Sequence, residues 1–280
     1  MQRFSRFAVA VAVSATVVLA RVASAGSSFS SYQLNNNGGP AASVNGSILT
    51  LTTNGNGSTA NSAFSPTRVS VSDALGFTVN FTYDESVGYA DGIAFVLQND
   101  PRGASAVGSP GGELGYDGTG LITNSAAIEF ESYPFGSPGN GTAFGTGGLV
   151  PGDPGNPVTK YIPTTGVINN GGTYYLYNQP VDVTLVYNGN AKTLTETLFG
   201  ETENATFSTV YSGIDYSSLL GGPANGSTTA YIGFTGGDGG VSSTQTIYNF
   251  SYVQNSPVPE PASLGLLGMA TTGLLARRRR

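Results

Sequence analysis

The chain has 280 residues, of which 41 are glycine and 15 are proline; 39% are hydrophobic, 10% are charged, and none is cysteine or histidine. Without histidine there is no imidazole base and no histidine-ligated zinc, and without cysteine there is no thiolate nucleophile, disulfide or iron–sulfur cluster. Any functional site must therefore be built from carboxylates, amides, hydroxyls, backbone groups and aromatic rings.

Acidic residues dominate the middle of the chain. Seven of the eleven basic residues lie in the terminal segments, which leaves four basic residues against sixteen acidic ones between residues 26 and 256. A body of this charge repels phosphate, so the sequence argues against nucleic acid as a partner. A neutral ligand or a cation fits better.

Residues 1–25 have the layout of a secretory signal peptide. Arg3 and Arg6 precede an apolar run over residues 7–20, and the small-residue triplet 23–25 follows. This pattern predicts Sec export with cleavage after Ala25. We favour it over a retained anchor, because the apolar run is shorter than the roughly 20 residues that span a bilayer.

The body between residues 26 and 255 is predicted to be one all-β domain. It has no useful helical period, but it has many short runs of β-branched and aromatic residues separated by Gly, Asn and Pro. Alternation over residues 181–187 predicts a strand with one buried face, and residues 188–190 predict the hairpin turn after it. The pattern indicates ten to fourteen strands in an antiparallel sandwich. The predicted strands lie at residues 47–52, 76–83, 92–97, 126–132, 181–187, 192–199, 230–235 and 246–253.

Two segments of the body are predicted to be loops. The start, over residues 35–61, is rich in Asn and Gly and is predicted to form turns around one edge strand. Residues 134–173 are rich in Gly, Pro, Asn and Thr and form a long predicted loop, of the kind that is usually functional or flexible.

The segment 256–280 contains Pro259-Glu260-Pro261, an apolar stretch over residues 264–276, and four arginines at 277–280. It resembles the PEP-CTERM sorting tail of Gram-negative bacteria. The resemblance implies transient membrane association through residues 264–276, processing by an exosortase-type enzyme, and a body that is secreted or held at the cell surface, often beside an exopolysaccharide system. The arginine cluster keeps the end of the tail cytoplasmic before processing.

Five segments of the body resemble the L-type, or legume-like, lectins. In chain order these are residues 90–96 (Ala-Asp-Gly-Ile-Ala-Phe-Val), 111–116, 127–133, 183–198 and 232–235. The resemblance implies a concanavalin A-like jelly roll that binds carbohydrate. It also implies a cis peptide between Ala90 and Asp91.

The chemistry of sugar recognition agrees with these segments. A neutral sugar is held by a carboxylate, by backbone N–H groups and by an aromatic face under its ring. By resemblance, Asp91 accepts hydrogen bonds from sugar hydroxyls and Gly112 donates its backbone N–H. The other candidate contacts are Tyr133 or Phe135, which would offer a ring face, and Asp238, whose simpler interpretation is a turn residue.

Glu129 and Glu131 stand at positions i and i+2 of a predicted strand, so both side chains leave the same face. Two such carboxylates need a cation, solvent or a raised pKa. The resemblance implies a metal site here, but Val158 stands where the family has its histidine ligand. We therefore expect calcium rather than a transition metal, with a metal-free loop as the alternative. The candidate ligands are Glu129, Glu131, Tyr133, Asn140, Asp153 and Asn156.

Two other functions compete with a lectin. One is a structural component of an extracellular or biofilm matrix, which suits an exported body of low charge and high glycine content. The other is a glycoside hydrolase of the laminarinase-like type, suggested by the Glu-x-Glu strand; its third acidic position falls on Tyr133 or Pro134, so the acid/base partner is missing. We therefore predict a secreted, non-catalytic, carbohydrate-binding protein for extracellular or matrix polysaccharide.

Overall fold

The computed structural model describes residues 28–135, 139–164, 169–170 and 174–255, and two antiparallel sheets dominate it. The first sheet has the spatial order β1 (Gln33–Asn36), β4 (Thr59–Phe64), β15 (Ser227–Asp238), β7 (Gly92–Gln98), β8 (Ser125–Glu131) and β9 (Gly141–Thr146), with β5 (Val69–Ser72) also paired to β15. The second sheet has the order β14 (Ala205–Ser212), β13 (Thr193–Gly200), β12 (Gln179–Asn188), β6 (Phe77–Ser86), β16 (Thr244–Gln254), β3 (Ile48–Thr52) and β2 (Ser43–Asn45).

The remaining elements are short. A two-stranded ladder joins β10 (Asn169–Asn170) to β11 (Tyr174–Tyr175), and α1 (Tyr216–Leu219) is a single helical turn. Three 3-10 turns lie at Phe29–Ser31, Gly103–Ser105 and Gly111–Glu113. None of the helices in the part of the chain that is described is long and apolar enough to cross a membrane.

The alternation of residue types explains which face of a strand is buried and which is exposed. In β12 the side chains of Val181, Val183 and Leu185 are buried, whereas Asp182 between them is exposed. β13 follows the predicted turn and pairs with β12 in antiparallel register. The all-β antiparallel sandwich and all eight predicted strands are confirmed.

The main core lies between the two sheets. Phe81 from the second sheet contacts the rings of Phe95, Phe130 and Phe234 from the first, at centroid distances of 5.0–6.0 Å. Full burial of a large apolar side chain stabilises the fold by about 1.5–3 kcal/mol, so this layer supplies much of the driving force for folding.

The first sheet is buried on its other face as well. Ala94, Val96 and Ala127 project away from the main core and pack under the connecting segments, against Tyr116 and Ile122. Every residue of β7 and β8 is consequently buried, which explains why Glu129 and Glu131 are buried although they point away from the main core.

Two of the predicted loops contain more regular structure than expected. Residues 35–61 include β2 and β3 and the start of β4. The sequence did not indicate β4 because Thr59, Asn61 and Ser62 are polar, yet all three are buried and hydrogen-bonded; for example, the Asn61 amide donates to the Leu51 carbonyl at 2.6 Å. The predicted loop over residues 134–173 likewise contains β9, which pairs with β8. The predicted signal peptide and the sorting tail lie outside the described residues.

Candidate functional site

Asp91 lies directly before β7, and its backbone is fixed by both neighbouring strands. The peptide between Ala90 and Asp91 is cis, as the resemblance implies. The Asp91 N–H donates to the Gly237 carbonyl at 3.0 Å, and the Asp91 carbonyl accepts from the Ser132 N–H at 2.7 Å. The first sheet therefore determines where this side chain points.

The Asp91 carboxylate is recessed, with 8% of the residue exposed and one oxygen, Oδ2, buried without a hydrogen-bond partner among the described residues. Two glycines border that oxygen. A Cβ atom added at Gly239 would lie 3.1 Å from Oδ2, and one added at Gly111 would lie 3.9 Å from it. Glycine at these positions keeps the two loops close to the carboxylate without filling the space beside it.

Burial and the nearby carboxylates of Asp238 and Glu113 together raise the pKa of Asp91 to about 7, although the backbone N–H of Gly239 beside the carboxylate acts in the opposite direction. The ion pairs found among the described residues are those of Arg102 and Lys192, and their acidic partners are Asp73, Asp100 and Asp215 rather than any residue of this site. The site is therefore acidic and has no basic partner that would hold its carboxylates ionised.

The turn Gly111–Glu113 packs beside Asp91 because β15 also carries a glycine at this point. A Cβ atom added at Gly237 would lie 2.7 Å from the Gly111 carbonyl oxygen and 3.0 Å from the Leu114 Cα. Gly112 is exposed, and its own missing side chain would point toward Glu131, at 3.9 Å from Oε2. The structure thus brings the two predicted contacts, Asp91 and Gly112, to the same edge of the first sheet.

An aromatic cluster lies beside this edge. Tyr133 and Phe135 contact each other edge-to-face at 5.5 Å, and Phe135 contacts Tyr89 at 6.2 Å. Tyr89 also contacts Tyr177 at 6.0 Å, and Phe135 is 52% exposed. Tyr89 and Tyr177 were not predicted from the sequence; the only signal for Tyr89 was its position two residues before Asp91.

Asp238 is close to Asp91 but differs from it in environment. It is fully buried, its Oδ1 accepts from the Thr59 N–H at 2.9 Å, and its Oδ2 has no partner among the described residues. Burial raises its pKa. The structure therefore places Asp238 behind Asp91, where it acts on the charge of that carboxylate.

Glu129 and Glu131 leave the same face of β8, as the spacing predicted. Both oxygens of Glu129 are buried, and the Tyr161 hydroxyl beside them lowers the pKa of this carboxyl by less than burial raises it. Glycine at position 145 leaves room for this side chain, because a Cβ atom there would overlap Glu129 Oε1. Burial, followed by the charge of Asp117, raises the pKa of Glu129 well above its usual value.

The other predicted metal ligands are distributed around two centres. Glu131 lies on the Asp91 side, where its Oε1 accepts from the Tyr133 N–H at 2.8 Å. Asp153 lies beside Asp117, and a hydrogen bond between these two carboxyls, followed by burial, raises the pKa of Asp153 to about 7.

The two asparagines do not complete a cage around either centre. The Asn156 side-chain oxygen accepts from the Val158 N–H at 2.9 Å within its own loop. Asn140 is nearly buried, and its amide nitrogen has no partner among the residues that the structure describes. Over the described ranges, no group of three or more acidic side chains is arranged to hold a metal ion. The predicted ligands therefore do not fit calcium as one set, and calcium stays a prediction from the resemblance alone.

A groove of about 570 Å³ lies away from Asp91, where the sandwich is open between the edge strands β9 and β14. Its lining is mainly apolar and includes Phe144, Tyr211 and Leu219. The groove is separate from the acidic edge described above.

Solved structures that resemble this chain are legume lectins. Lectin II from Ulex europaeus matches with a TM-score of 0.59 and 18% identity, over 81% of this chain and 94% of that one. A lectin from Bauhinia forficata in complex with GalNAc matches with 0.57 and 17%, over 82% and 95%. Arcelin-5, a lectin-like defense protein from Phaseolus vulgaris, matches with 0.58 and 17%, over 79% and 91%.

A family model for the PEP-CTERM protein-sorting motif matches residues 257–280. No curated protein matches the chain significantly. The chain therefore has the β-sandwich fold of the legume lectins and carries a PEP-CTERM protein-sorting motif at its C-terminus.

Proposed function

We propose that this chain is an exported, non-catalytic protein that binds a neutral polysaccharide through Asp91. The observation that carries the proposal is the recessed carboxylate itself, whose Oδ2 is buried between the glycine loops at Gly111 and Gly239 with no hydrogen-bond partner in the described ranges of the chain. A sugar hydroxyl that reaches the carboxylate supplies a donor, and a hydrogen bond to a charged acceptor is stronger than a neutral one.

The surroundings of Asp91 support a saccharide rather than another small ligand. Exposed backbone at Gly112 offers hydrogen bonds on one side, and the aromatic cluster of Tyr89, Tyr133, Phe135 and Tyr177 offers apolar ring surface on the other. Sugar rings combine polar edges with apolar faces, so they match this pairing. Structures of the same fold are described as complexes with galactose and with GalNAc.

Burial of the acidic pair on β8 supports binding over hydrolysis. A retaining glycosidase needs two carboxyl groups that flank the scissile bond, about 5–5.5 Å apart. Glu129 is fully buried, and the third acidic position of such a site falls on Tyr133 or Pro134, so the acid/base partner is missing. The proposal accordingly assigns no catalytic residue, and it routes no step through calcium.

The sorting motif supports a place outside the cytoplasm. On this proposal the body is exported by the Sec route, the tail is processed by an exosortase-type enzyme after a transient stay in the membrane, and the protein is secreted or held at the surface of a Gram-negative cell. Its ligand is then an extracellular or matrix polysaccharide.

A structural matrix protein is the second candidate, because the chain has low charge and high glycine content. A glycan array probed with the full chain separates the two, with and without added calcium. Saturable binding of a neutral glycan supports the proposal. Absence of any signal at millimolar saccharide, in both conditions, would overturn it in favour of the structural role.

A further inference from the structure

Glu85, near the end of β6, is a fully buried carboxyl that none of the roles above uses. Its Oε1 accepts hydrogen bonds from the hydroxyl groups of Ser132 at 2.9 Å and Ser243 at 2.6 Å. Its Oε2 has no hydrogen bond of ordinary geometry among the described residues, and the buried Tyr83 hydroxyl also interacts with this carboxyl. A buried acid with serine partners from two separate segments, one after β8 and one before β16, needs an explanation beyond packing.

The same two hydroxyl groups also contact the backbone that carries Asp91. Ser132 Oγ lies 3.0 Å from the Asp91 carbonyl oxygen, to which the Ser132 N–H also donates. Ser243 Oγ lies 2.7 Å from the Ala90 carbonyl oxygen. Glu85 therefore reaches the two carbonyl groups on either side of the Asp91 α-carbon, each through one hydroxyl.

These contacts join the two sheets at the place where Asp91 projects. Ser132 follows β8 in the first sheet, whereas Ser243 precedes β16 in the second. Gln245 adds a further link, since its amide donates to the Ala90 carbonyl at 3.2 Å and to the Gly237 carbonyl at 3.0 Å. The peptide before Asp91 is thus held from both sheets.

We infer that Glu85 is a positioning residue for Asp91, which acts through Ser132 and Ser243 to fix the backbone of the binding carboxylate. The consequence for saccharide affinity rests on the proposed function; the positioning itself does not. A serine hydroxyl has one hydrogen to donate, so each serine here must divide it between Glu85 and a backbone carbonyl. A side chain at position 85 that can both donate and accept provides hydrogen-bond partners for both serine hydroxyl groups. An apolar side chain there removes this partner from both serines.

The test compares three variants by amide hydrogen exchange on the full chain. Glu85→Gln keeps the acceptor oxygen and adds a donating amide, and Glu85→Leu keeps only the volume. Ser243→Ala removes one bridging hydroxyl and keeps the test decisive if Glu85→Leu does not fold. Exchange is measured at the backbone amides of Asp91, which donates to the Gly237 carbonyl, and of Ser132, which donates to the Asp91 carbonyl.

Glu196→Leu is the matched control. Glu196 is also fully buried and hydrogen-bonded by two hydroxyl groups, those of Thr142 at 2.8 Å and Tyr211 at 2.9 Å. It also links the two sheets, but at the edge formed by β9, β13 and β14. A general loss of stability would raise exchange at Asp91 and Ser132 equally in Glu85→Leu and Glu196→Leu.

We expect exchange at Asp91 and Ser132 to rise about tenfold in Glu85→Leu, the change that loss of about 1.4 kcal/mol of hydrogen bonding gives. Ser243→Ala should also raise the exchange rate of these amides, and Glu85→Gln should leave the rate as in the wild type. Unchanged exchange in both Glu85→Leu and Ser243→Ala, or an equal rise in Glu196→Leu, would overturn the inference.

Saccharide affinity is the second measurement. It should fall about tenfold in Glu85→Leu and stay at the wild-type value in Glu85→Gln and Glu196→Leu. Wild-type affinity in Glu85→Leu would overturn the functional half of the inference. If the wild type binds no glycan, the proposed function fails, while the exchange result still decides whether Glu85 positions Asp91.

Discussion

Asp91 combines burial with an oxygen that has no hydrogen bond from the described part of the chain, and this combination is costly for the folded protein. A buried polar atom without a partner costs about 1–3 kcal/mol. A ligand hydroxyl that reaches Oδ2 removes this penalty, so the cost to the free protein becomes part of the affinity for the ligand. This explains why a recessed carboxylate is better suited to recognition than a fully exposed one, which water would already satisfy.

The raised pKa of Asp91 predicts that saccharide affinity depends on pH. The carboxylate form is the stronger acceptor and accumulates as the pH rises through about 7. Affinity measured by calorimetry should therefore increase about tenfold between pH 6 and pH 8, following the ionised fraction. Asp91→Asn serves as the control and should show no such increase; an affinity that falls over this range in the wild type would contradict the assignment.

Some residues of the site could be predicted from the sequence and others could not. Asp91 and Gly112 belong to local motifs, so their neighbourhood follows from short stretches of chain. Tyr177 and Glu85 reach the site only through pairing and packing between segments that are far apart in sequence. No local pattern marks such residues, because the contact that gives them a role forms only in the folded sandwich.

At the scale of elements, the close approach of β15 and the turn Gly111–Glu113 is what sets Gly112 beside Asp91. Gly237→Ala would place a methyl group 2.7 Å from the Gly111 carbonyl oxygen, which forces the turn outward. We expect saccharide affinity to fall about tenfold and the melting temperature to fall by several degrees, since overpacking costs about 1–3 kcal/mol.

Gly240→Ala is the matched control for that variant. It lies three residues further along the chain, and an added Cβ atom would meet nothing within 4 Å. Equal effects of the two substitutions would show that the approach of the turn to β15 is unimportant for the site.

The buried acid of β13 predicts a pH dependence of stability that is independent of the site. Burial raises the pKa of Glu196 from 4.5 to about 7, so the folded state retains a proton that the unfolded state releases. Stability should therefore fall as the pH rises from about 4.5 to about 7. Thermal melts of Glu196→Gln should show a smaller decrease between pH 5 and pH 8 than the wild type, whereas the exposed control Glu201→Gln should behave as the wild type does.

Among the elements, β12 and β4 show what a sequence pattern can and cannot predict. In β12 the alternation of Val181, Asp182 and Val183 matches one buried and one exposed face, so its structure follows from period alone. In β4 both faces are buried, and Asn61 and Ser62 are accommodated by specific hydrogen bonds to Leu51 and Ala106. Such polar residues resemble a loop until their partners on other segments are known.

At the scale of the whole molecule, charge determines which polysaccharides we expect the proposed site to bind. The body carries four basic residues against sixteen acidic ones, and the site itself is acidic. We expect the full chain to bind a neutral glucan in preference to the sulfated form of the same polymer, such as dextran over dextran sulfate, at low ionic strength. Binding of the sulfated polymer that weakens with added salt would contradict this.

The most direct test of the account is a calorimetric titration of the full chain and of Asp91→Asn with a neutral saccharide selected on the array. Asp182→Asn is the control, because Asp182 is an exposed carboxylate on the outer face of the second sheet. The account predicts saturable binding by the wild type and by Asp182→Asn, and affinity at least about tenfold weaker in Asp91→Asn with a melting temperature no lower than that of the wild type. Wild-type affinity in Asp91→Asn would contradict it.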